Sequence, residues 1–404
     1  MRTSKRARTG GGSSGKASSK ASGKAHLEYE GPANFRARLV LSLLSSRPVR
    51  ITRIRPDDES PGLTSFEASF IRLLDKLTNG THIEINEIGT SLFFRPGILL
   101  GGAVEHDCGG DQPGSRSAGW FLEGVLPLAP FGKRPMLLRL ENCVTNDDLD
   151  PSVDTVKEVS LSVLRKFGVG ADAETSPLLS VDIKRRGARP LGGGCVEFKC
   201  PTVRSVRSVD WTDGGLVKRV RGVAYSTKVS PQVSNRCVHS ARGVLNALLP
   251  DVYIFTDVYS GKTSGSSPGF GLLLTAETTT GCVLSAEATA LSDGGTKALP
   301  EEVATQAAGA LLQEVSEGGV VDSSQQSLAL LLMAVGPEDV SRLRSGELTK
   351  HSRGTLKLLR DFVGVLFKVS SSANKCTLRC LPRCLQGAET DPPLPSGESR
   401  QGLP

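Results

Sequence analysis

The chain has 404 residues, 38% hydrophobic and 23% charged, enough for two or three domains with sizeable cores. Its longest apolar run, Leu328 to Val335, has eight residues against the roughly twenty a membrane helix needs, which excludes transmembrane helices. The net charge of +7 resides in Arg2, Lys5, Arg6, Arg8, Lys16, Lys20 and Lys24. Without those seven, 42 basic residues face 42 acidic ones, so any nucleic-acid surface on the body must be a local patch.

In chain order, residues 1–25 combine Gly, Ser, Ala and basic residues with no hydrophobic period. They are expected to be a disordered basic tail, because they cannot bury enough surface to offset the entropy of ordering. The cluster Ser4-Lys5-Arg6-Ala7-Arg8 suits nuclear or nucleolar import, or phosphate contacts; a solubilising tail is the plainer reading. No apolar segment follows it, so no secretory signal is expected. Nine scattered cysteines point to a reducing compartment.

Arg50 to Ile54 alternates as a strand, and Pro61-Gly62 breaks the chain. Thr64-x-x-Glu67 is a capping box for a helix whose stripe is Phe66, Phe70, Leu73, Leu74 and Leu77, stopped by Asn79-Gly80. His82 to Ile85 and Ser91 to Phe94 read as paired strands. The scheme repeats with a strand near Ile98 to Val104, a helix near Trp120 to Leu128, a strand near Met136 to Leu140 and a helix near Val156 to Phe167. Strands near Leu179 to Ile183 and Cys195 to Cys200 close that stretch.

The segment 201–275 breaks the rhythm, with a strand at Val217 to Lys228, a helix at Pro231 to Leu248 and a strand at Val252 to Thr256. It is read as an inserted small domain. A third αβ stretch follows: a strand at Cys282 to Ala286, a helix from Pro300 ended by Gly318-Gly319, helices at Ser323 to Ala334 and Thr355 to Val363, and a strand at Leu366 to Ser370. The fold class is α/β (α+β). A large domain spans 26–200 and 276–386, interrupted by the insert at 201–275, and a polar disordered tail occupies 387–404.

Several patterns carry candidate chemistry. Arg186-Gly187-Ala188-Arg189-Pro190-Leu191-Gly192-Gly193-Gly194 would let backbone approach a phosphate, or another backbone in a turn between strands. Ser260-Gly261-Lys262-Thr263 imitates a phosphate loop but has Thr256 where that motif requires glycine. The acidic run from Asp147 to Asp154 suits a divalent cation or, more simply, a turn and helix N-terminus. Cys376, Cys380 and Cys384 lack zinc spacing, and no metal is expected. His106 in Glu105-His106-Asp107-Cys108 suggests a dyad or a buried, hydrogen-bonded histidine. Lys184, Arg185, Arg186 and Arg189, with Lys218, Arg219 and Arg221, form a modest RNA signal in which Trp211 and Tyr225 are the nearest stacking residues.

Taken together, the run Arg186 to Val196 resembles the signature of the RNA terminal-phosphate cyclase family. Phe35 to Leu63, with Arg36, Pro48, Ile54-Arg55 and Pro61-Gly62-Leu63, is similar to its N-terminal unit. Thr145-Asn146 with Pro151 and Asp154, and Ser267-Pro268-Gly269-Phe270-Gly271, also match. The resemblance covers Leu27 to Ser371. It implies three repeats of two helices on a four-stranded sheet, with a smaller thioredoxin-like domain inserted between the second and third. It also implies that Arg36, Arg55 and Arg186 face a phosphate-binding cleft, as an anion or RNA site or as salt-bridge partners.

The chain departs from true cyclases where their chemistry lies. The glycine-rich loop is reduced to Glu30-Gly31-Pro32-Ala33-Asn34, Asp58 replaces an arginine, and Glu123 replaces a nucleotide-contacting glutamine. Asp322 stands at the position of the histidine that becomes adenylylated. A carboxylate there repels a triphosphate and is a weak nucleophile. The departures resemble the family's non-cyclase branch of eukaryotic ribosome biogenesis, notably at Cys143 to Asn146, Val104 to Cys108 and Val321 to Leu332. That resemblance implies a nuclear, nucleolar pseudoenzyme with no cofactor, acting in early pre-rRNA processing within the small-subunit processome and bound to a nucleolar GTPase. The competing expectation is a pre-rRNA endonuclease, with Arg360-Asp361 or the acidic run near Asp147 as its chemistry.

Overall fold

The computed structural model describes residues 26–112, 114–171, 178–290, 298–372 and 375–382. Both expected tails, and Cys384, lie outside them.

Three units share one plan. In the first, β1 (Leu27–Glu30), α1 (Phe35–Ser45), β2 (Val49–Thr52), α2 (Ser65–Leu77), β4 (His82–Ile85) and β5 (Leu92–Arg95) build a sheet of order β1-β2-β5-β4, with β1 and β2 parallel. A two-stranded ribbon, β3 (Thr78–Asn79) with β6 (Ile98–Leu99), leads out of it. The α2 stripe forms as its spacing dictates: Phe70, Leu73, Leu74 and Leu77 are buried, and Glu67 accepts from the Thr64 N–H at 3.0 Å. Helix α1 escapes sequence reading because it is buried nearly all round, including Arg38 and Ser42. It packs against the last helix among the described residues, so it shows no clean amphipathic stripe.

The second unit repeats the order. It comprises β7 (Gly101–Asp107), α3 (Ala118–Val125), β8 (Arg134–Cys143), a helical stretch, β9 (Ser180–Arg185) and β10 (Gly194–Cys200), arranged β7-β8-β10-β9. The helical stretch consists of α4 (Val153–Thr155), a π turn (Val156–Ser160) and α5 (Leu161–Lys166).

The third unit corrects the expected domain boundaries. Its first strand, β11 (Asp210–Trp211), pairs with β16 (Ser341–Ser345). Its remaining elements are α8 (Gln326–Ala334), α9 (Lys350–Val363), β17 (Lys368–Ser372) and β18 (Lys375–Cys380), and the order β11-β16-β18-β17 matches the other two sheets. The insert therefore interrupts the third unit between its first strand and first helix. It runs over 217–317, not 201–275: β12 (Val217–Thr227), α6 (Pro231–Leu245), β13 (Val252–Tyr259), β14 (Gly269–Thr278), β15 (Val283–Thr289) and α7 (Pro300–Glu317). Its sheet is ordered β13-β12-β14-β15. The strand and helix expected to open the third repeat, β15 and α7, belong to the insert. Val303, Ala304, Ala307, Ala308 and Leu311 of α7 close a second core with Val220, Leu245 and Leu274. The first core runs continuously through the other three units. A two-residue strand carries too little periodicity to be read from sequence, so β11 could not mark the boundary.

Glycines join insert and body. A Cβ on Gly187 would strike the Cys143 carbonyl oxygen, and one on Gly265 the Gly192 carbonyl oxygen. Gly192 and Gly193 have φ of 56° and 80°. The glycine run is thus a close backbone-to-backbone contact with the loop at 261–268, where Ser266 N–H donates to the Gly192 carbonyl at 3.2 Å. Gly265→Ala is expected to lower the melting temperature and raise proteolysis of that loop. Gly243→Ala, in open space on α6, should be neutral or stabilise by up to about 1 kcal/mol.

Candidate functional site

A cleft of about 580 Å³ opens among α1, α3, the 149–151 turn and the N-terminal ends of α8 and α9. Arg36, Arg116, Trp120, Glu123, Asp150, Ser324, Thr349 and His351 line it. Arg36, in the first turn of α1, donates to the Trp120 carbonyl, pairs with Glu123, and lies 5.0 Å from the Trp120 ring centroid. Arg116 forks onto Asp150, its Nε 2.8 Å from Oδ2. Arg55 follows β2 in a left-handed conformation, φ 43°. It donates from Nε to the Gly62 carbonyl at 3.0 Å and pairs with buried Glu67. Each of these guanidiniums already faces a carboxylate.

Arg186 lies elsewhere. It is 1% exposed, at the junction of body and insert. Nη1 and Nη2 reach the Asp154 carboxylate at 2.7 and 3.0 Å. Nη1 also donates to Asn146 Oδ1 at 2.7 Å, and Nη2 to Asp257 of β13 at 2.9 Å. Tyr225 and Tyr259 place their rings 4.6 and 5.0 Å from it. Burial works against the charge, but Asp154 and Asp257 outweigh it and raise the guanidinium pKa. Burial likewise works against the Asp154 anion, yet Arg186 and Asn146 hold it below the usual carboxylate range.

The three sequence-selected arginines therefore do not converge. Arg36 lines the cleft, Arg55 reaches it only through Glu67, and Arg186 is an internal tie. Asp154 was legible as part of the acidic run. Tyr225 stood out in sequence only as a base-stacking candidate, and Asp257 and Tyr259 gave no local signal, since only tertiary contact makes them partners of Arg186.

Asp322 is 1% exposed and is not among the residues lining the cleft. Its carboxylate accepts from Ser285 N–H at 2.9 Å, Ser285 Oγ at 2.6 Å, Ser324 Oγ at 2.7 Å and Gln325 N–H at 3.0 Å. All four donors are uncharged, and burial pushes its pKa up. Glu287 of β15 makes a parallel link, accepting from Ser152 N–H at 2.9 Å and Thr155 Oγ1 at 2.8 Å. Burial raises it to about 7.

Comparison with known proteins places this geometry. A family model described as RNA 3'-terminal phosphate cyclase matches residues 27–369. The chain belongs to that family. It is 50% identical over 346 residues to a Mus musculus RNA 3'-terminal phosphate cyclase-like protein, covering 85% of this chain and 90% of that one. It is 40% identical to a probable cyclase-like protein of Arabidopsis thaliana, over 85% and 92%. It is 42% identical to a Schizosaccharomyces pombe protein named rRNA processing protein rcl1, over 79% and 85%.

Within the cyclase frame, Glu123 neutralises Arg36, whereas Asp58 lies exposed and outside the cleft lining, where it adds no charge to the cleft wall. The acidic run holds turns and ion pairs. Asp147 accepts from Leu149 and Asp150 N–H and pairs with Arg189 at 2.8 Å, and Ser152 caps α4. No cluster able to hold a metal occurs among the described residues. Cys376 and Cys380 lie on β18. His106 is the buried, hydrogen-bonded kind: Nε2 lies 2.9 Å from Ser69 Oγ, and burial lowers its pKa to about 4. Gly261–Thr263 is a 3-10 turn whose Thr263 carbonyl accepts from Arg186 N–H. Trp211 and Tyr225 are buried. Arg360-Asp361 is outside the cleft lining; Asp361 accepts from Tyr29 Oη at 3.3 Å and from Arg360 at 3.2 Å.

Arg186→Ala leaves Asp154 buried and unpaired, and is expected to cost about 3–5 kcal/mol in denaturant unfolding. Because the folded Asp154 pKa is depressed, the stability the pair contributes is present above the ordinary carboxylate range and lost as pH falls through the folded value. Glu287 has the opposite sign. Its stability is present below its ordinary 4.5 and lost as pH rises through about 7. Glu287→Gln should therefore flatten the fall in unfolding free energy measured across that window.

Proposed function

We propose that this chain is an rRNA-processing factor of ribosome biogenesis that uses the cyclase fold as a binding scaffold and forms no covalent nucleotide intermediate. The first half rests on membership of the family and on the printed name of the fission-yeast relative. The second half is carried by Asp322. At the position the resemblance assigns to the cyclase nucleophile stands a buried carboxylate whose oxygens are engaged by Ser285, Ser324 and Gln325. A nucleophile needs a free lone pair aimed at the bound phosphorus. Asp322 does not offer one, because both its oxygens accept two hydrogen bonds each and the residue lies outside the cleft lining.

The cleft supports the same reading. A triphosphate entering it would have to displace Glu123 from Arg36 and Asp150 from Arg116. Like charges about 4 Å apart repel by roughly 4 kcal/mol at a surface-like dielectric. The finer reading is a nucleolar protein of the small-subunit processome that requires no nucleotide cofactor and holds a nucleolar GTPase and pre-rRNA. The basic residues 1–25 fit a nuclear address.

Incubation with α-labelled ATP should give no protein-bound AMP; an adenylate on any side chain would refute the scaffold half. Depletion from cells should lead to accumulation of unprocessed small-subunit pre-rRNA, and normal processing would refute the other half. Purified protein should leave a pre-rRNA fragment intact. Cleavage abolished by Asp361→Ala would make the endonuclease the correct reading.

A further inference from the structure

The sheet of the insert has two faces. Helices α6 and α7 cover one with the second core. The other face meets the large body over only part of its width, where Tyr225 and Asp257 reach Arg186, Ser285 reaches Asp322, and Glu287 reaches the start of α4. The uncovered part carries Tyr253 and Phe255 of β13, an edge strand that among the described residues pairs only with β12. Their side chains are two residues apart on one face, 55% and 53% exposed. The rings touch edge to face, with centroids 4.5 Å apart and planes at 75°. Two large aromatics displayed side by side on an exposed strand contribute little to either core.

Their neighbours are cationic. The parallel register sets Arg221 opposite Tyr253 and Val223 opposite Phe255. Arg219 lies on the same face two residues before Arg221, and Lys218 is exposed beside it. Arg219 reaches Glu277 at 2.6 Å and Arg221 reaches Asp251 at 2.8 Å. These pairs are solvent-accessible and contribute little net stability, so a phosphate can replace the carboxylate, and until it does Asp251 and Glu277 keep the guanidiniums oriented.

We propose that this face of the insert is a platform for single-stranded RNA, with bases stacked on Tyr253 and Phe255 and phosphates held by Arg219 and Arg221. Flat rings bordered by cations match the alternation of base and phosphate in an unpaired strand. An apolar protein partner would bury two ion pairs and Lys218 against itself, and duplex RNA keeps its base faces stacked away from the rings. The body from His26 onward is formally neutral, so this local patch supplies what the whole-chain charge does not. The inference leans on the rRNA-processing reading only for which RNA is bound.

The test is fluorescence anisotropy of the full chain with a short labelled single-stranded RNA, across a salt series. The wild type should bind, and unlabelled duplex of the same sequence should compete poorly. Tyr253→Ala with Phe255→Ala should weaken binding at least about tenfold, since each stacked base is lost. Tyr253→Leu with Phe255→Leu keeps the apolar bulk on the strand and should lose binding to a similar degree with the melting temperature unchanged. Arg221→Ala should reduce the salt dependence by about one released counterion. Wild-type affinity in both aromatic variants would place the binding in the basic residues 1–25 or elsewhere and overturn the proposal, as would failure of the wild type to bind. Aromatic-dependent binding alongside normal rRNA processing after depletion would leave the platform standing and remove only the rRNA reading.

Discussion

A single buried guanidinium holds the two halves of this protein in register. Taking Arg186 out of water is unfavourable unless its charge is matched and its donors are used. The fold meets that demand at Nη1 and Nη2 from both sides at once, leaving Nε without a partner: Asp154 and Asn146 come from the body, and Asp257 from β13 of the insert. Tyr225 and Tyr259 exclude water from its faces. The requirement propagates outward. The glycines on either side must let two backbones touch, and the turn from Thr145 to Asp154 must aim its acids inward.

Two further links across this junction are acidic. Asp322 binds the start of α8 to β15 through Ser285, and Glu287 binds β15 to the start of α4. Both carboxylates have burial working against their charge and only uncharged donors to offset it. In a cyclase the corresponding region must expose a nucleophile. Here, on the scaffold reading proposed above, it joins one unit of the fold to another.

The same economy governs the cleft. Arg36 and Arg116 stay oriented because Glu123 and Asp150 sit against them. A cavity of this shape with its cations internally neutralised suits the recognition of a protein or RNA surface better than the concentration of a highly charged small molecule. Binding capacity then falls to surfaces whose ion pairs lie open to solvent, and the outer face of the insert, where Arg219 pairs with Glu277 and Arg221 with Asp251, is one such surface among the described residues.

Much of this was legible from the chain alone. Periodicity located α2, α7 and most strands because each buries one face, and the spacing of Phe70, Leu73, Leu74 and Leu77 records that directly. The motif resemblance named the family. The boundaries of the insert were not legible: β11 is two residues long, and α7 looks the same in sequence whichever sheet it covers. Nor was the fate of the arginines. Arg36, Arg55 and Arg186 are alike as letters, and Asp257 lies 71 positions from Arg186. Whether a guanidinium is a free anion site or a buried tie depends on which carboxylate arrives beside it, and that is decided by packing between segments far apart in the chain. Sequence therefore determined most of the elements and the kinship; tertiary structure decided which charges are paired, because electrostatic pairing acts over a few ångströms of space and is blind to distance along the backbone.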